Sequence, residues 1–160
     1  MAEVTDMNFN DGQKDMFMTF VVGKETYGIE ICHIIEIIGM QEYTEMPEMP
    51  EYIKGIINLR GNIIPLMDVR LRFRMEPRPY DDRTCVIVTV VDTVLVGLIV
   101  DGVSEVITLP EDSISSLQGL AGTQGNRFVR NVGKTPSGIV LIVDPNKLVN
   151  DDELEMLRTL

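Results

Sequence analysis

The apolar positions of this chain come in short runs broken by polar pairs. Residues 86–91 and 94–100 are rich in Val, Ile and Leu and flank Asp92 and Thr93. That is the pattern of two strands joined by a tight hairpin turn. Residues 17–22 and 26–31 repeat it around Gly23, Lys24 and Glu25. Ile31, Ile34, Ile35 and Ile38 then fall at i, i+3, i+4 and i+7. This spacing permits a short helical turn, and a continued strand is equally open. After a Pro-containing loop, MQEYTEMPEMPE, residues 56–59 and 63–67 predict a further hairpin around Arg60, Gly61 and Asn62. Gly-Asn suits a turn with positive φ. Ile56, Ile57, Ile63 and Ile64 are expected in the core, with Arg60 at the tip. Asp68 and Asp144 are placed to cap short helical turns. Asn150 with Glu153 reads as a capping box opening a C-terminal helix over 151–160, with Leu154 and Leu157 on its apolar side.

The pattern occurs twice. Residues 19–40 align with 88–109 at a shift of 69, without gaps. Gly28 falls on Gly97, Glu36 on Glu105 and Ile38 on Ile107. Residues 52–56 and 62–69 align with 128–132 and 138–145 at a shift of 76, with Asp68 on Asp144. The change of shift fits an insertion at the Gly-rich stretch QGLAGTQGN. A unit this long is not a solenoid repeat. It predicts two similar small subdomains sharing a core. The blocks are about 16–75 and 84–150 of one domain spanning 16–150, and their interleaving in space is left open. Residues 1–15 form an acidic, flexible leader. Many short strands at this spacing predict an all-β fold, mainly strands with short helices, built as small barrels.

Composition narrows the function classes. The chain has 160 residues, 44% hydrophobic and 24% charged, enough for one globular domain. Net charge is −11. This argues against nucleic acid and against an anionic membrane surface as partners. The charge is uneven: residues 54–83 carry 7 of the 14 Lys and Arg and are net positive, while both flanks are acidic. A solvated mixed-charge face is one reading of that segment, and a contact surface for an acidic partner is the other. No signal peptide is evident, and no apolar run approaches the length that spans a bilayer. The two cysteines form no disulfide framework, so a soluble cytoplasmic protein is expected.

Candidate chemistry is sparse. His33 is the only histidine and adjoins Cys32. Neighbouring residues point apart on a strand or helix, so a thiolate–imidazole dyad is poorly placed. One His and two distant Cys do not make a zinc site. VGKT at 132–135 lacks the leading glycine of a phosphate loop, where Phe128 stands. Gly119, Gly122 and Gly125 do not match a dinucleotide fingerprint. The Asp81/Asp82 and Asp151/Asp152 pairs sit in polar sequence with nothing to raise a carboxyl pKa. Neither catalytic residues, nor a cofactor, nor a metal is expected. A small Cys/His enzyme remains as a minor alternative. Ten methionines, several in loops, suit adaptable contacts.

Four stretches carry a family resemblance: YGIEICHIIEIIG (27–39), PEYIKGIINLRGNIIPLMDVRLRF (50–73), VGLIVDGVSEVI (96–107) and GIVLIVDPNKLV (138–149). Over about residues 16–160 the chain resembles the CheW family of bacterial chemotaxis coupling proteins. The resemblance implies two SH3-like five-stranded β-barrel subdomains over a shared apolar core, with no enzymatic activity. It implies binding to the cytoplasmic helical tip of chemoreceptors and to the regulatory domain of the histidine kinase CheA. A receptor-binding groove would contain Arg60 near Glu36, with Ile34, Gly55, Asn58, Leu59 and Gly61 in or beside it. No kinase-binding residue is assigned. A monomer when free, recruited to receptor clusters at the inner membrane face, is expected. CheA and the receiver-linked adaptor CheV carry similar domains, but 160 residues leave no room for their other domains, which favours a stand-alone coupler. The second half offers KTPSG (134–138) where the first has NLRGN (58–62). An arginine that the fold does not need twice is a better candidate for recognition than for support.

Overall fold

Tight turns set the strand pairs. The structure, a computed structural model, describes residues 15–116 and 126–159. The leader before residue 15 and the Gly-rich stretch 117–125 lie outside the described residues, and with them the expectations placed there. Strands β1 (Met16–Val22) and β2 (Glu25–Glu30) form the first hairpin. A 3-10 turn at Ile31–His33 leads into β3 (Ile34–Gly39), so the isoleucine run continues as strand rather than helix. β4 (Ile53–Leu59) and β5 (Asn62–Asp68) form the second hairpin, followed by α1 (Val69–Arg72). The second half repeats the series: β6 (Cys85–Val91), β7 (Val94–Val100), β8 (Gly102–Thr108), β9 (Ile114–Ser116), β10 (Val129–Thr135), β11 (Gly138–Val143) and α2 (Pro145–Leu148). A C-terminal helix, α3 (Asp151–Arg158), closes the chain.

The halves are interleaved. One sheet runs β8-β1-β2-β11-β10-β9 and the other β3-β6-β7-β5-β4. Each sheet thus combines the opening hairpin of one half with the closing hairpin of the other. The joins are the parallel pairs β5–β7 and β11–β2, among otherwise antiparallel neighbours. Their registers correspond: Leu66 pairs with Gly97, and Ile142 with Gly28. β9 pairs Ser115 with Val132, and its counterpart in the other sheet is the single bridge of Thr44 to Ile56. The sheets therefore differ by one named strand, six against five.

Glycine at the joins is a packing requirement. A Cβ at Gly97 would lie 2.7 Å from Leu66 Cδ2 and 2.8 Å from Val86 Cγ1. One at Gly28 would lie 2.9 Å from Val140 Cγ1. The side chains opposite fill that space.

Apolar residues sort into three clusters. The largest lies between the sheets and takes Phe20 and Ile29 from one, Met67 and Leu98 from the other, and Leu154 and Leu157 from α3. Ile57, Ile64, Leu66, Val86, Val88 and Ile99 fill the inside of the five-stranded sheet, with Ile38 of the edge strand β3 against them. That shared cluster shows the sheet curling round towards its own far edge. Phe17, Leu109 and Ile142 do the same in the six-stranded sheet. Strand period two corrects the expected core: Ile57 and Ile64 point inward, while Ile63 is 44% exposed and Ile56 only half-buried.

Polar ties fix the frame. Asp68 caps α1 by accepting from the Leu71 amide, and Asp144 caps α2 by accepting from the Asn146 amide. The Asn150–Glu153 capping box forms as expected. Glu153 also pairs with buried Arg72 at 3.3 Å, whose guanidinium lies 4.4 Å from the Tyr52 ring centroid. Asp101 accepts from Arg70, Arg78 and the Gly23 amide, and so ties the first turn to α1. Burial opposes its charge, but these donors hold its carboxyl below the usual range.

Gly97→Ala is expected to destabilise the fold by about 1–3 kcal/mol through overpacking. Gly39 has open space around its would-be Cβ. Gly39→Ala is expected to stay within about 0.5 kcal/mol of wild type. Denaturant melts of both variants check the contrast.

Candidate functional site

The β4–β5 turn presents Arg60 to solvent. Leu59 pairs with Asn62, so the two turn residues are Arg60 and Gly61, one position earlier than Gly61 and Asn62. Both have positive φ, +52° and +91°. Gly61 adopts this freely, but an arginine with a Cβ does not. The primed turn still prevails because its twist matches the flanking strands. Asn58 braces it by accepting from the Gly61 amide at 2.8 Å. A non-glycine residue in this conformation costs about 1–3 kcal/mol, and Arg60 shares it with Asp92 and Thr93 of the β6–β7 turn.

Glu36 reaches the same tip from the opposite edge of the sheet. Arg60 Nη2 donates to Glu36 Oε1. The Arg60 side chain is 68% exposed, so the pair adds little stability. Glu36 is aimed by a β-bulge. Ile34 pairs with Thr89 and Glu36 with Val88, leaving Ile35 as the extra residue. Bulges bend a strand and redirect its side chains. Ile35 is thrown outward and is 55% exposed. Ile63, next to the turn on β5, is the other large apolar side chain exposed on these strands. Sequence periodicity could not find Ile35, because the bulge breaks the period.

The remaining expected residues divide. Asn58 and Gly61 shape the turn. Leu59 packs against the inner cluster of the five-stranded sheet, and Ile34 against the core between sheets. Gly55 is buried: a Cβ there would lie 2.3 Å from the Thr44 carbonyl. Its role in this structure is to let the segment around Thr44 cross β4. The surface thus gathers Glu36, Asn58, Arg60 and Gly61, while Ile34, Gly55 and Leu59 support it from below.

Chemistry elsewhere stays sparse. Cys32 and Cys85 are free. Partial desolvation, then the charge of Glu30, pushes the Cys32 thiol up, opposite to what a nucleophile needs. His33 faces Glu30, 3.7 Å away, rather than Cys32. Residues 132–135 lie within β10, paired on both sides in part, and form no phosphate loop. Among the described residues no group of three His, Cys, Asp or Glu side chains could hold a metal.

Comparison with known proteins decides the family. The CheW-like domain profile matches residues 16–153. The chain belongs to the CheW-like domain family. Chemotaxis protein CheW of Klebsiella aerogenes is 35% identical over 141 residues, 88% of this chain and 85% of that protein. Its counterpart in Treponema pallidum is 30% identical over 159 residues, covering 96% and 92%. The crystal structure of the scaffolding protein TtCheW from Thermoanaerobacter tengcongensis superposes with a TM-score of 0.80 at 34% identity, covering 87% of this chain and 96% of that one. The mostly β CheW architecture expected from sequence is therefore the observed one.

Glu30 carries the clearest pH signature. His33, 3.7 Å away, and Arg130, which donates to it at 2.8 Å, lower its carboxyl to about 2 against partial burial. A depressed folded pKa adds stability above the unfolded value of 4.5, and that stability is lost as pH falls towards 2. Melting temperatures of wild type and Glu30→Gln are expected to differ most at pH 6 and to converge by pH 2. A constant difference across that range contradicts the assignment.

Proposed function

We propose that this CheW-like chain is a chemotaxis coupling adaptor that binds the helical cytoplasmic tip of chemoreceptors and the regulatory domain of the kinase CheA. It works by contact and not by catalysis, in the cytoplasm at the inner membrane face, and is a monomer when free. The observation that carries the receptor contact is Arg60. It stands at an exposed hairpin tip, in a strained backbone conformation, steered by Glu36 and flanked by exposed Ile35 and Ile63. A guanidinium beside aliphatic side chains suits an amphipathic helix that offers a carboxylate or a helix C-terminal carbonyl.

Coupling requires a frame that carries one contact to another. The interleaved sheets supply it, because neither half can move without straining both parallel joins. Receptor state would then alter the adaptor's differential affinity, and through it the kinase.

Arg60→Asn separates recognition from support. Asparagine before Gly61 is the favoured residue for this turn, so it relieves the strain while deleting the guanidinium. Folding stability is expected to stay within about 1 kcal/mol of wild type. Affinity for a receptor fragment in a pull-down or calorimetric titration is expected to fall about tenfold or more, with CheA binding unchanged. Undiminished receptor binding contradicts the proposal.

A further inference from the structure

The interleaved repeat gives the Glu36 bulge and the Arg60 turn counterparts in the other sheet, but the arginine itself has none. Glu105 stands where Glu36 stands, at the same shift of 69 as the rest of the block. Its strand carries the same bulge. Met18 pairs with Val106 and Phe20 with Val103, so Ser104 and Glu105 share one partner position, Thr19. Buried Thr19 locks the bulge, its Oγ1 donating to the Glu105 carbonyl at 2.7 Å and accepting from the Glu105 amide at 3.1 Å. The facing turn, Pro136 and Ser137, is the counterpart of Arg60 and Gly61: Thr135 pairs with Gly138 as Leu59 pairs with Asn62. Where the first site has a guanidinium, this one has a proline. Glu105 forms no ion pair among the described residues.

The result is an open cleft. It has a volume of about 490 Å³, within the ~300–1,000 Å³ of typical binding clefts. Glu105 and Lys134 both line it, together with Ile107, buried Leu109 and Val140, and Ile139, which is 55% exposed. One side is β8, an edge strand that pairs only with β1. A strand edge offers backbone donors and acceptors to an extended segment, and the pockets beside it select side chains.

We infer that this cleft is a second docking site, for an extended segment of a partner protein that carries an arginine or lysine beside an aliphatic residue. The basic side chain takes the place Arg60 holds in the other sheet and pairs with Glu105. The aliphatic neighbour covers Ile107 and Ile139, and Lys134 meets a carboxylate or carbonyl of the same segment. Charge complementarity selects this occupant. A carboxylate aimed by a locked bulge, facing turn residues Pro136 and Ser137 that carry no charge and left unpaired by Lys134, is complementary to a cation from outside.

The test uses the full chain, labelled with nitrogen-15, and the peptide acetyl-Asn-Leu-Arg-Gly-Asn-Ile-Ile-amide, which copies residues 58–64. Saturable amide shifts are expected at Glu105, Ile107 and Ile139. Glu105→Gln, or glutamine for arginine in the peptide, is expected to weaken binding about threefold to tenfold. Pro136→Arg, which rebuilds the missing guanidinium, is expected to compete with the peptide and weaken it similarly. Absence of saturable shifts, shifts confined to other surfaces, or binding indifferent to Glu105 and to the peptide arginine overturns the inference. A small zwitterion such as free arginine that perturbs the same amides as strongly as the peptide also overturns it, by making the site one for small molecules.

Discussion

Two parallel strand joins hold this molecule together, and each depends on a glycine. Gly97 faces Leu66, and Gly28 faces Ile142, at corresponding points of the two sheets. Side chains from the closing hairpins pack into the space where a Cβ would stand. Without those approaches the opening hairpin of one half could not dock beside the closing hairpin of the other. Everything else follows from that exchange: the core between the sheets, the curl of each sheet over its own cluster, and the delivery of β3 and the β4–β5 tip to the same place.

On such a frame, recognition can be added where the fold is indifferent. The two hairpin tips have the same register but different chemistry. Arg60 accepts a strained backbone and returns little stability through an exposed ion pair, whereas the equivalent tip is a proline–serine turn. Glu36 and Glu105 are both aimed by bulges, so the carboxylate belongs to the shared plan and the arginine to one half. An adaptor that must address different partners through similar subdomains gains specificity by such asymmetry.

Much of this was legible in the sequence because its signals were local. The 92–93 hairpin turn, the caps at Asp68 and Asp144 and the Asn150–Glu153 box each depend on a few neighbouring residues. The duplication showed in the spacing of Gly28 and Gly97, and Arg60 stood out as a charge within an aliphatic run. What stayed hidden was set by distant parts of the chain. Interleaving is invisible to an alignment of the sequence with itself. Gly55 is buried because the Thr44 segment crosses it, which no local pattern records. A run of isoleucines masks the alternation that turns Ile63 outward, and a bulge interrupts the one that would reveal Ile35.

Kinase output in a reconstituted array tests the coupling role most directly. Receptor-bearing vesicles, CheA and this protein would be combined, and CheA autophosphorylation followed with and without attractant. The adaptor is expected to raise kinase activity and make it respond to attractant, and Arg60→Asn is expected to abolish both effects while leaving a folded protein that still binds CheA. Kinase output that is unchanged by the wild-type protein, or fully restored by Arg60→Asn, would contradict it.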